Sequence, residues 1–277
     1  MPEGPETLIE AEKLASVLVN KKLTQVFFYH AEPDSFRKKL ESSTVKSVTP
    51  QGKSLLINFK NGLSIYSHNN LYGKWKVLGK NEAENKNPIS SLRLSLSTHK
   101  EHACLFSASD IRVVPTKNVT DIDYVKTLGP SCLDKKLTKK MIIARFQNPK
   151  LAKRKLKSLL LDQKFIAGIG NYLRNEILFF AGIHPETTVG SLDQDAISQL
   201  AHAIREIPDR SYQSGGFTRH KSEYGDLSKV EEPKKLRFYV YGRMNLPCYR
   251  CKNKILRLSD SSQPVYVCPS CQINCEM

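Results

Sequence analysis

Four cysteines near the C-terminus constrain the fold of this chain more than any other feature. They form two Cys-x2-Cys pairs, Cys248 with Cys251 and Cys268 with Cys271, separated by sixteen residues. Each pair can direct two thiolates at one metal from a tight turn, and two pairs complete the tetrahedral shell of a structural zinc site. We therefore predict one structural Zn²⁺ in a ribbon whose hairpin strands are residues 254–257 and 265–267. All four ligands come from protein, which leaves no open position for a catalytic water.

The remaining cysteines are consistent with a metal site rather than with disulfides. The chain has 7 cysteines, and five lie in the last thirty residues. A secreted disulfide scaffold is normally shorter and spreads its cysteines along the chain. Cys275 has the wrong spacing for a ligand, and we expect Cys104 and Cys132 to be small core residues. Four unligated or disulfide-bonded cysteines are the disfavoured alternative, and a zinc ribbon by itself does not identify a function.

The charge of the chain favours a polyanionic partner. Its formal net charge is +16, with a net of +5 in residues 1–133 and +11 in residues 134–277. Such an excess is typical of nucleic-acid-binding proteins, although a solubilising surface, a membrane surface or an acidic protein are alternatives. The apolar runs are too short for a membrane span, and Glu3 and Glu6 replace the basic start of a secretory signal. We expect an intracellular monomer, with nuclear residence or bacterial or viral-factory cytoplasm left open.

The hydrophobic pattern predicts an α+β protein of two domains. Apolar residues at helical spacing predict a helix over 7–19, and short alternating runs over 22–115 predict about eight strands of a sandwich or barrel. Beyond a linker at 128–137, helices are predicted at 151–161, 171–181 and 192–206, and loops at 81–88 and 211–235. The predicted parts are an N-terminal β-sandwich over 1–133, a helical domain over 134–240 and a four-cysteine zinc finger over 241–277.

The N-terminus carries an unusual arrangement for covalent chemistry. An initiator Met before a small residue is normally removed, which leaves Pro2 with a free secondary amine. The pKa of an α-amino group lies near 8, so part of it is neutral and nucleophilic at physiological pH. Attack on a sugar carbon gives a cationic iminium, which acts as an electron sink for eliminating phosphate. Glu3 is a natural general acid/base beside it, although the segment also suits an ordinary helix start.

Four separated motifs, in order, resemble the formamidopyrimidine-DNA glycosylase/endonuclease VIII family over nearly the whole chain. The motifs are Pro2-Glu3-Gly4-Pro5-Glu6, the turn Gln51-Gly52-Lys53, the run LLLDQKFIAGIGN at 159–171, and VYGR at 240–243 before the cysteines. The resemblance implies a DNA-repair enzyme that excises damaged bases and then cleaves the backbone on both sides by β,δ-elimination. It also implies a helix–two-turn–helix in the C-terminal domain and DNA bound in a basic cleft between the domains.

The same resemblance assigns roles to individual residues. Pro2 is the expected nucleophile, Glu3 the acid/base, Glu6 a second carboxylate of the pocket, and Lys53 a contact to the phosphate beside the lesion. The residues expected to bind DNA in the helix–two-turn–helix are Lys164, Gly170 and Asn171. The alternatives are structural: Lys53 can be a solvated turn lysine, and Asn171 can be only an N-cap.

The segment Asn70-Leu71-Tyr72-Gly73 indicates which class of damaged base is the substrate. A base reached by chemistry must leave the duplex stack, and proteins commonly fill the resulting gap with apolar wedges. Leu71 and Tyr72 resemble the void-filling loop of the endonuclease VIII branch, whose implied substrates are oxidised pyrimidines such as thymine glycol and hydroxylated cytosines and uracils. The alternative is that both side chains belong to the core.

One position departs from the family pattern. The family's zinc ribbons carry an arginine five residues before the third cysteine, where this chain has Gln263. Arg257 lies on the other predicted strand of the hairpin. Either another basic residue compensates, or the enzyme holds DNA differently; weaker duplex binding or a single-strand preference would be consistent with the loss.

Two rival functions follow from the same features. A non-enzymatic zinc-ribbon DNA-binding protein would account for the charge and the cysteines. It does not explain the Pro2-Glu3 terminus or Lys53. An oxidised-purine glycosylase is the closer variant, and Leu71 and Tyr72 are the main argument against it.

Overall fold

The computed structural model describes residues 2–79, 91–224, 232, 236–258 and 263–273. The chain forms two compact units. The first contains Pro2 and residues 6–127, and the second contains residues 3–5 and 128–277. The predicted loop at 81–88, Cys275 and much of the predicted loop at 211–235 lie outside the described residues. The division into three domains at 133 and 240 stays a prediction.

The first unit is a β-sandwich with one long helix and several short ones. Its helices are α1 (Gly4–Leu18), α2 (Ala31–Asp34), α3 (Arg37–Glu41) and α4 (Asp123–Lys126). Its strands are β1 (Gln25–Phe28), β2 (Val45–Gln51), β3 (Ser54–Phe59), β4 (Leu63–His68), β5 (Lys74–Gly79), β6 (Leu92–Ser97), β7 (Glu101–Phe106) and β8 (Asp110–Pro115). They form two antiparallel sheets of four, in the orders β1-β6-β7-β5 and β2-β3-β4-β8.

The sandwich core uses the alternation that the sequence predicts. In β6, Leu94 and Leu96 are fully buried, and in β3 Leu55, Ile57 and Phe59 point to the same apolar cluster. Because successive side chains of a strand point to opposite faces, these residues share one face of each sheet. One face of α1 closes the cluster with the side chains Ala11, Leu14, Val17 and Leu18. The predicted helix over 7–19 and the predicted eight strands are therefore confirmed.

A second, smaller cluster covers the opposite face of the β2-β3-β4-β8 sheet. Leu56 and Tyr66 pack there against Val119 and Ile122. Val119 lies in the 3₁₀ helix Thr116–Asp121, and Ile122 precedes α4. This layer places Tyr124 of α4 beside the β2–β3 turn, where its hydroxyl accepts a hydrogen bond from the backbone NH of Lys53 at 3.0 Å.

The second unit is helical. Its helices are α5 (Lys139–Phe146), α6 (Leu156–Leu159), α7 (Asn171–Ala181) and α8 (Gln194–Gln213). They enclose one apolar cluster that includes the fully buried Leu159, Ile169, Leu173 and Leu200. Asp193 caps α8, where its carboxylate accepts from the NH of Ala196 at 2.7 Å. Gly182, in the left-handed conformation at φ 73, ends α7, as glycine commonly does after a helix.

The predicted helix over 151–161 is wrong in extent. Only α6 and the 3₁₀ helix Pro149–Leu151 form there. The intervening backbone pairs with another segment instead: Ala152 and Arg154 accept from the NH groups of Gly190 and Val189, and Leu156 donates to Thr187. Apolar spacing does not show this competition, since the partner segment is distant in sequence. Helix α8 also extends beyond its predicted end, through Pro208 to Gln213.

The predicted linker at 128–137 is a packed segment of the second unit. The NH of Gly129 donates to the carbonyl of Gln163 at 2.8 Å, and Cys132 donates to Ala167 at 2.9 Å. A Cβ at Gly129 would lie 2.5 Å from the carbonyl oxygen of Lys164. The segment thus lines the turns that precede α7.

The C-terminal ribbon contains a short antiparallel pair, β9 (Leu256–Leu258) and β10 (Val265–Val267). The predicted strand at 265–267 is confirmed, and the other strand begins two residues later than expected. Val240, Ile255 and two of the cysteines form a small cluster with Phe179 of α7. No helix of the described residues has the length and apolar character needed to cross a membrane.

Candidate functional site

The carboxylate of Glu3 caps the N-terminus of α7. It accepts hydrogen bonds from the backbone NH groups of Gly170 at 2.8 Å, Tyr172 at 2.8 Å and Leu173 at 3.2 Å. The first NH groups of a helix have no intrahelical partner, and together with the helix dipole they favour a negative charge. Glu3 is only 4% exposed. Glu3, the third residue of the sequence, therefore takes the place of a conventional capping side chain.

Two glycines make this contact sterically possible. A Cβ at Gly170 would lie 2.3 Å from Cδ of Glu3, so any side chain there would displace the carboxylate. The NH of Gly4 donates to the carbonyl of Gly168 at 2.8 Å, and Gly168 has φ 93, a conformation that favours glycine. The Gly-x-Gly pattern thus serves the packing of residues 3–4 in this structure.

Gln163 organises the two turns between α6 and α7. Its side-chain NH₂ donates to the carbonyls of Leu161 at 2.9 Å and Ile169 at 2.8 Å, and its Oε1 accepts from the NH of Gly168 at 2.9 Å. Lys164 is exposed in the same segment, and its NH donates to Asp162. One amide side chain thereby fixes the backbone that presents Gly170.

Asn171 is the first residue of α7, and its side chain takes part in a polar cluster. Its Oδ1 accepts from the guanidinium of Arg174, which also donates to the carbonyls of Gln263 at 3.2 Å and Pro264 at 3.0 Å. Burial lowers the pKa of Arg174 to about 10, and the nearby Glu3 and Tyr241 oppose that shift. The cluster connects the start of α7 to the ribbon hairpin, and the sequence reading missed Arg174.

Glu176 is a second buried carboxylate of α7 that the sequence reading missed. It is fully buried and accepts from the NH groups of Tyr239, Val240 and Tyr241 and from the hydroxyl of Thr218. Burial raises the pKa of its carboxyl, while these hydrogen bonds act in the opposite direction. Glu176 fixes the VYGR segment just before the cysteines.

In the first unit, Lys53 lies at the tip of the β2–β3 hairpin, as predicted. Gln51 pairs with Ser54, so Gly52 and Lys53 form a two-residue turn, with Gly52 at φ 59. His68 is the cross-strand partner of Ser54, and its ring packs edge-on against Tyr124 at 4.9 Å. Burial lowers the pKa of His68, and the charge of Lys53 adds to that effect, whereas Asp110 and Asn70 oppose it.

Leu71 and Tyr72 form an exposed apolar tip in the first unit. Leu71 is 63% and Tyr72 is 81% exposed, so the reading of both as core residues is wrong. Asn70 has φ 49 and donates its NH to Nδ1 of His68 at 3.0 Å. Exposed large apolar side chains on an ordered turn are typical of interaction surfaces.

The two remaining predicted site residues lie in the N-terminal segment. Pro2 is half-buried, directly before the anchored Glu3, and Glu6 is half-buried in the first turn of α1. The structure brings Glu3, Gly170 and Asn171 together in the second unit. Lys53, Leu71 and Tyr72 belong to the first unit.

The four predicted cysteines converge on one point. Their sulfur atoms all lie within 4.8 Å of one another, with Cys251 and Cys268 3.3 Å apart and Cys248 and Cys271 3.9 Å apart. Four thiolates at this separation can hold one metal ion.

The ring of Tyr249 lies between the guanidinium groups of Arg243 and Arg219, at 3.6 and 3.7 Å from the ring centroid. Cys104 and Cys132 are buried, as expected.

Comparisons with known proteins agree with this architecture. Residues 1–114 match the formamidopyrimidine-DNA glycosylase N-terminal domain, and residues 128–222 match the formamidopyrimidine-DNA glycosylase H2TH domain. Endonuclease 8 of Salmonella paratyphi B is 37% identical over 272 residues, which is 98% of this chain and all of the relative. The same protein of Salmonella enteritidis matches equally well. The chain belongs to the formamidopyrimidine-DNA glycosylase family.

Solved structures show the same fold. Lactococcus lactis Fpg in complex with abasic-site DNA has a TM-score of 0.80 at 21% identity, covering 98% of this chain and 100% of the other. Its complex with DNA containing an oxidised pyrimidine has a TM-score of 0.80 at 22% identity, covering 98% and 99%. The α+β fold, with a sandwich domain and a helix–two-turn–helix domain, is confirmed. As a member of this family, the protein is a base-excision-repair DNA glycosylase with AP lyase activity.

Replacing Gly170 with Ala should disrupt the site without removing any functional side chain. The new Cβ would lie 2.3 Å from Cδ and 2.5 Å from Oε1 of Glu3, so the carboxylate has to leave its three NH donors. We expect the single-turnover rate on abasic DNA to fall about 100-fold, since small misplacements of catalytic groups have effects of this size.

Gly62→Ala is the matched control for this experiment. Gly62 has φ 82, which strains alanine, but its Cβ would meet nothing within 4 Å. We expect lower thermal stability with an unchanged rate. Equal rates for Gly170→Ala and Gly62→Ala would mean that the position of Glu3 does not matter.

Proposed function

We propose that this glycosylase removes oxidised pyrimidines, such as thymine glycol and hydroxylated cytosines and uracils. The observation that carries the proposal is the exposed Leu71-Tyr72 tip on a fixed loop. When a damaged nucleotide rotates out of the duplex, an apolar wedge can fill the gap and hold the neighbouring bases apart. The name Endonuclease 8 of the relatives at 37% identity, together with the resemblance of this tip to that branch, supports pyrimidine substrates.

The nucleophile in this proposal is the amine of Pro2, after removal of Met1. Its nitrogen forms a bond to C1′ of the damaged nucleotide as the bond from C1′ to the base breaks, and the base leaves with a proton. Protonation of O4′ then opens the sugar ring by breaking the bond from C1′ to O4′, and this gives an iminium cation between Pro2 and C1′. Because Pro2 is a secondary amine, this cation forms without protonation of the nitrogen and withdraws electrons from the sugar.

Elimination then cleaves the backbone on both sides of the lesion. Removal of a proton from C2′ breaks the bond from C3′ to its phosphate, and a second elimination breaks the bond from C5′ to the other phosphate. Water then hydrolyses the bond between the Pro2 nitrogen and C1′, which releases the sugar fragment, regenerates the amine and leaves a one-nucleotide gap. Glu3 exchanges protons in these steps. Its three NH donors also favour a negative charge beside the developing cation.

Further roles follow from charge and position. Lys53, at the tip of the β2–β3 turn, binds the phosphate beside the lesion and assists the chemistry at the sugar, and Glu6 is a second carboxylate of the pocket. Lys164, Gly170 and Asn171 contact DNA from the helix–two-turn–helix segment.

The protein works as an intracellular monomer on DNA that contains oxidised bases or abasic sites. Binding weakens steeply with salt because phosphate contacts release counterions.

The metal in this proposal is one structural Zn²⁺ held by Cys248, Cys251, Cys268 and Cys271. The donor set fits zinc because four sulfur ligands complete a tetrahedral shell. When bound, the ion supplies structural rigidity to the ribbon rather than reactivity. Arg174 donates to the carbonyls of Gln263 and Pro264 beside the hairpin, so the ribbon backbone and the start of α7 are held to each other.

A panel of duplexes with single lesions tests the substrate class. We expect excision of thymine glycol and 5-hydroxycytosine to exceed that of 8-oxoguanine at least about tenfold in kcat/KM. In the Leu71→Ala/Tyr72→Ala double variant, duplex excision should fall, while cleavage of single-stranded abasic DNA should stay near the wild-type rate because no gap needs filling. Preferred removal of 8-oxoguanine would overturn the pyrimidine assignment, and an unchanged double variant would overturn the void-filling role.

Metal analysis tests the ribbon. We expect one zinc per chain, lost on treatment with a thiol-reactive mercurial and a chelator, together with lower thermal stability and weaker DNA binding. Cys268→Ser should reproduce the loss. Cys104→Ser, which alters a buried cysteine of β7, should still bind one zinc. Retention of the metal by Cys268→Ser would count against the four-cysteine shell.

A further inference from the structure

One side chain of α1 holds both ends of the loop that carries Leu71 and Tyr72. Oε2 of Glu10 accepts from the side-chain NH₂ of Asn69 at 2.8 Å, and its Oε1 accepts from the backbone NH of Trp75 at 3.0 Å. Asn69 directly precedes the loop, and Trp75 lies near the start of β5. A single carboxylate therefore ties together the two strands that enter and leave the loop.

The loop between these anchors is a closed turn. The NH of Gly73 donates to the carbonyl of Asn69 at 2.7 Å, and a Cβ at Gly73 would lie 2.4 Å from that oxygen. The side chain of Asn70 donates to Ser109 at 3.1 Å. At the far anchor, Trp75 is buried and its indole NH donates to Ser67 at 3.2 Å. The base of the loop is held by hydrogen bonds, whereas its tip is exposed.

Glu10 is half-buried, so its carboxylate loses part of its contact with water and depends on hydrogen bonds to compensate. Burial raises the pKa of its carboxyl, while the bonds from Asn69 and Trp75 and the charge of Lys74 oppose that rise. Asn69 is itself 4% exposed, and no donor among the described residues reaches its Oδ1. The hydrogen bond to Glu10 is thus the main polar anchor of the Asn69 side chain.

We propose that Glu10 is a positioning residue for lesion recognition: it holds the Leu71-Tyr72 tip in the conformation that enters the duplex. A loop that must order itself during insertion loses conformational entropy, and a preformed loop avoids that loss. This inference rests on the proposed void-filling function. It assigns no contact with DNA to Glu10, which acts only through the loop.

Two substitutions separate the hydrogen bonds of Glu10 from its charge. Glu10→Ala removes both bonds. Glu10→Gln can keep both bonds. Its Oε1 still accepts from the NH of Trp75, and its NH₂ can donate to Oδ1 of Asn69 once the Asn69 amide has rotated by half a turn. Glu12→Ala, at an exposed glutamate of the same helix, matches the charge change of Glu10→Ala while leaving the two hydrogen bonds of Glu10 in place.

The experiment measures single-turnover excision of thymine glycol from duplex DNA and cleavage of a single-stranded abasic oligonucleotide, with the full-length enzyme. For Glu10→Ala we expect duplex excision to fall about tenfold, as for the loss of a charge-assisted hydrogen bond. Single-strand cleavage should stay near the wild-type rate. Glu10→Gln and Glu12→Ala should resemble wild type. If Glu10→Ala does not fold, Asn69→Ala removes one of the two bonds and should give a smaller loss of the same kind.

Combining Glu10→Ala with Leu71→Ala/Tyr72→Ala separates the positioning role of Glu10 from void filling by the loop. If Glu10 acts through the loop, adding Glu10→Ala to Leu71→Ala/Tyr72→Ala should lower duplex excision no further. A duplex rate of Glu10→Ala equal to that of Glu12→Ala, or an equal loss on both substrates, would overturn the positioning role while leaving void filling intact. An unchanged rate for Leu71→Ala/Tyr72→Ala would overturn void filling and, with it, the role of Glu10.

Discussion

The hydrogen bonds between Glu3 and the start of α7 connect the chemistry of this protein to its fold. Three backbone NH groups, of Gly170, Tyr172 and Leu173, converge on the carboxylate of Glu3, the third residue of the sequence. Residues 3–4 are fixed by these bonds at the start of α7, by the bond from Gly4 to Gly168, and by glycines that leave space for close approach. The turns before α7 therefore pack directly against residues 3–4.

Two other carboxylates, both on helices, also accept several hydrogen bonds from a distant segment of the chain. Glu176 of α7 accepts three backbone NH groups of the segment before the ribbon, and Glu10 of α1 ties the ends of the Leu71-Tyr72 loop. Buried carboxylates are costly to desolvate unless several donors compensate them. Glu3 and Glu176 are buried and Glu10 is half-buried. The hydrogen bonds to each carboxylate hold the backbone that it contacts, namely the start of α7, residues 239–241 and the ends of the Leu71-Tyr72 loop.

Much of this architecture follows from the sequence because the signals are local. Alternation in β6, the Gln51-Gly52-Lys53 turn and the cysteine spacings each specify a local geometry, and the structure shows the strand, the turn and the convergent sulfurs. Two of the failures share a physical cause. The predicted helix over 151–161 is interrupted because its backbone pairs with residues 187–190. Similarly, Glu176 and Arg174 were missed because partners such as Thr218, Tyr239 and Pro264 lie 42 to 90 residues away. Apolar periodicity carries no information about such pairings.

The central claim is that the amine of Pro2, next to the anchored Glu3, is the nucleophile. Borohydride reduces an iminium to a stable bond, so wild-type protein lacking Met1 should become covalently attached to abasic DNA, and mass analysis of the digested adduct should locate the link at Pro2. A matched variant extended by one residue before Pro2 keeps every side chain but converts that nitrogen into an amide, and it should form no adduct. An adduct with the extended variant, or one located at a lysine such as Lys53, would contradict the account.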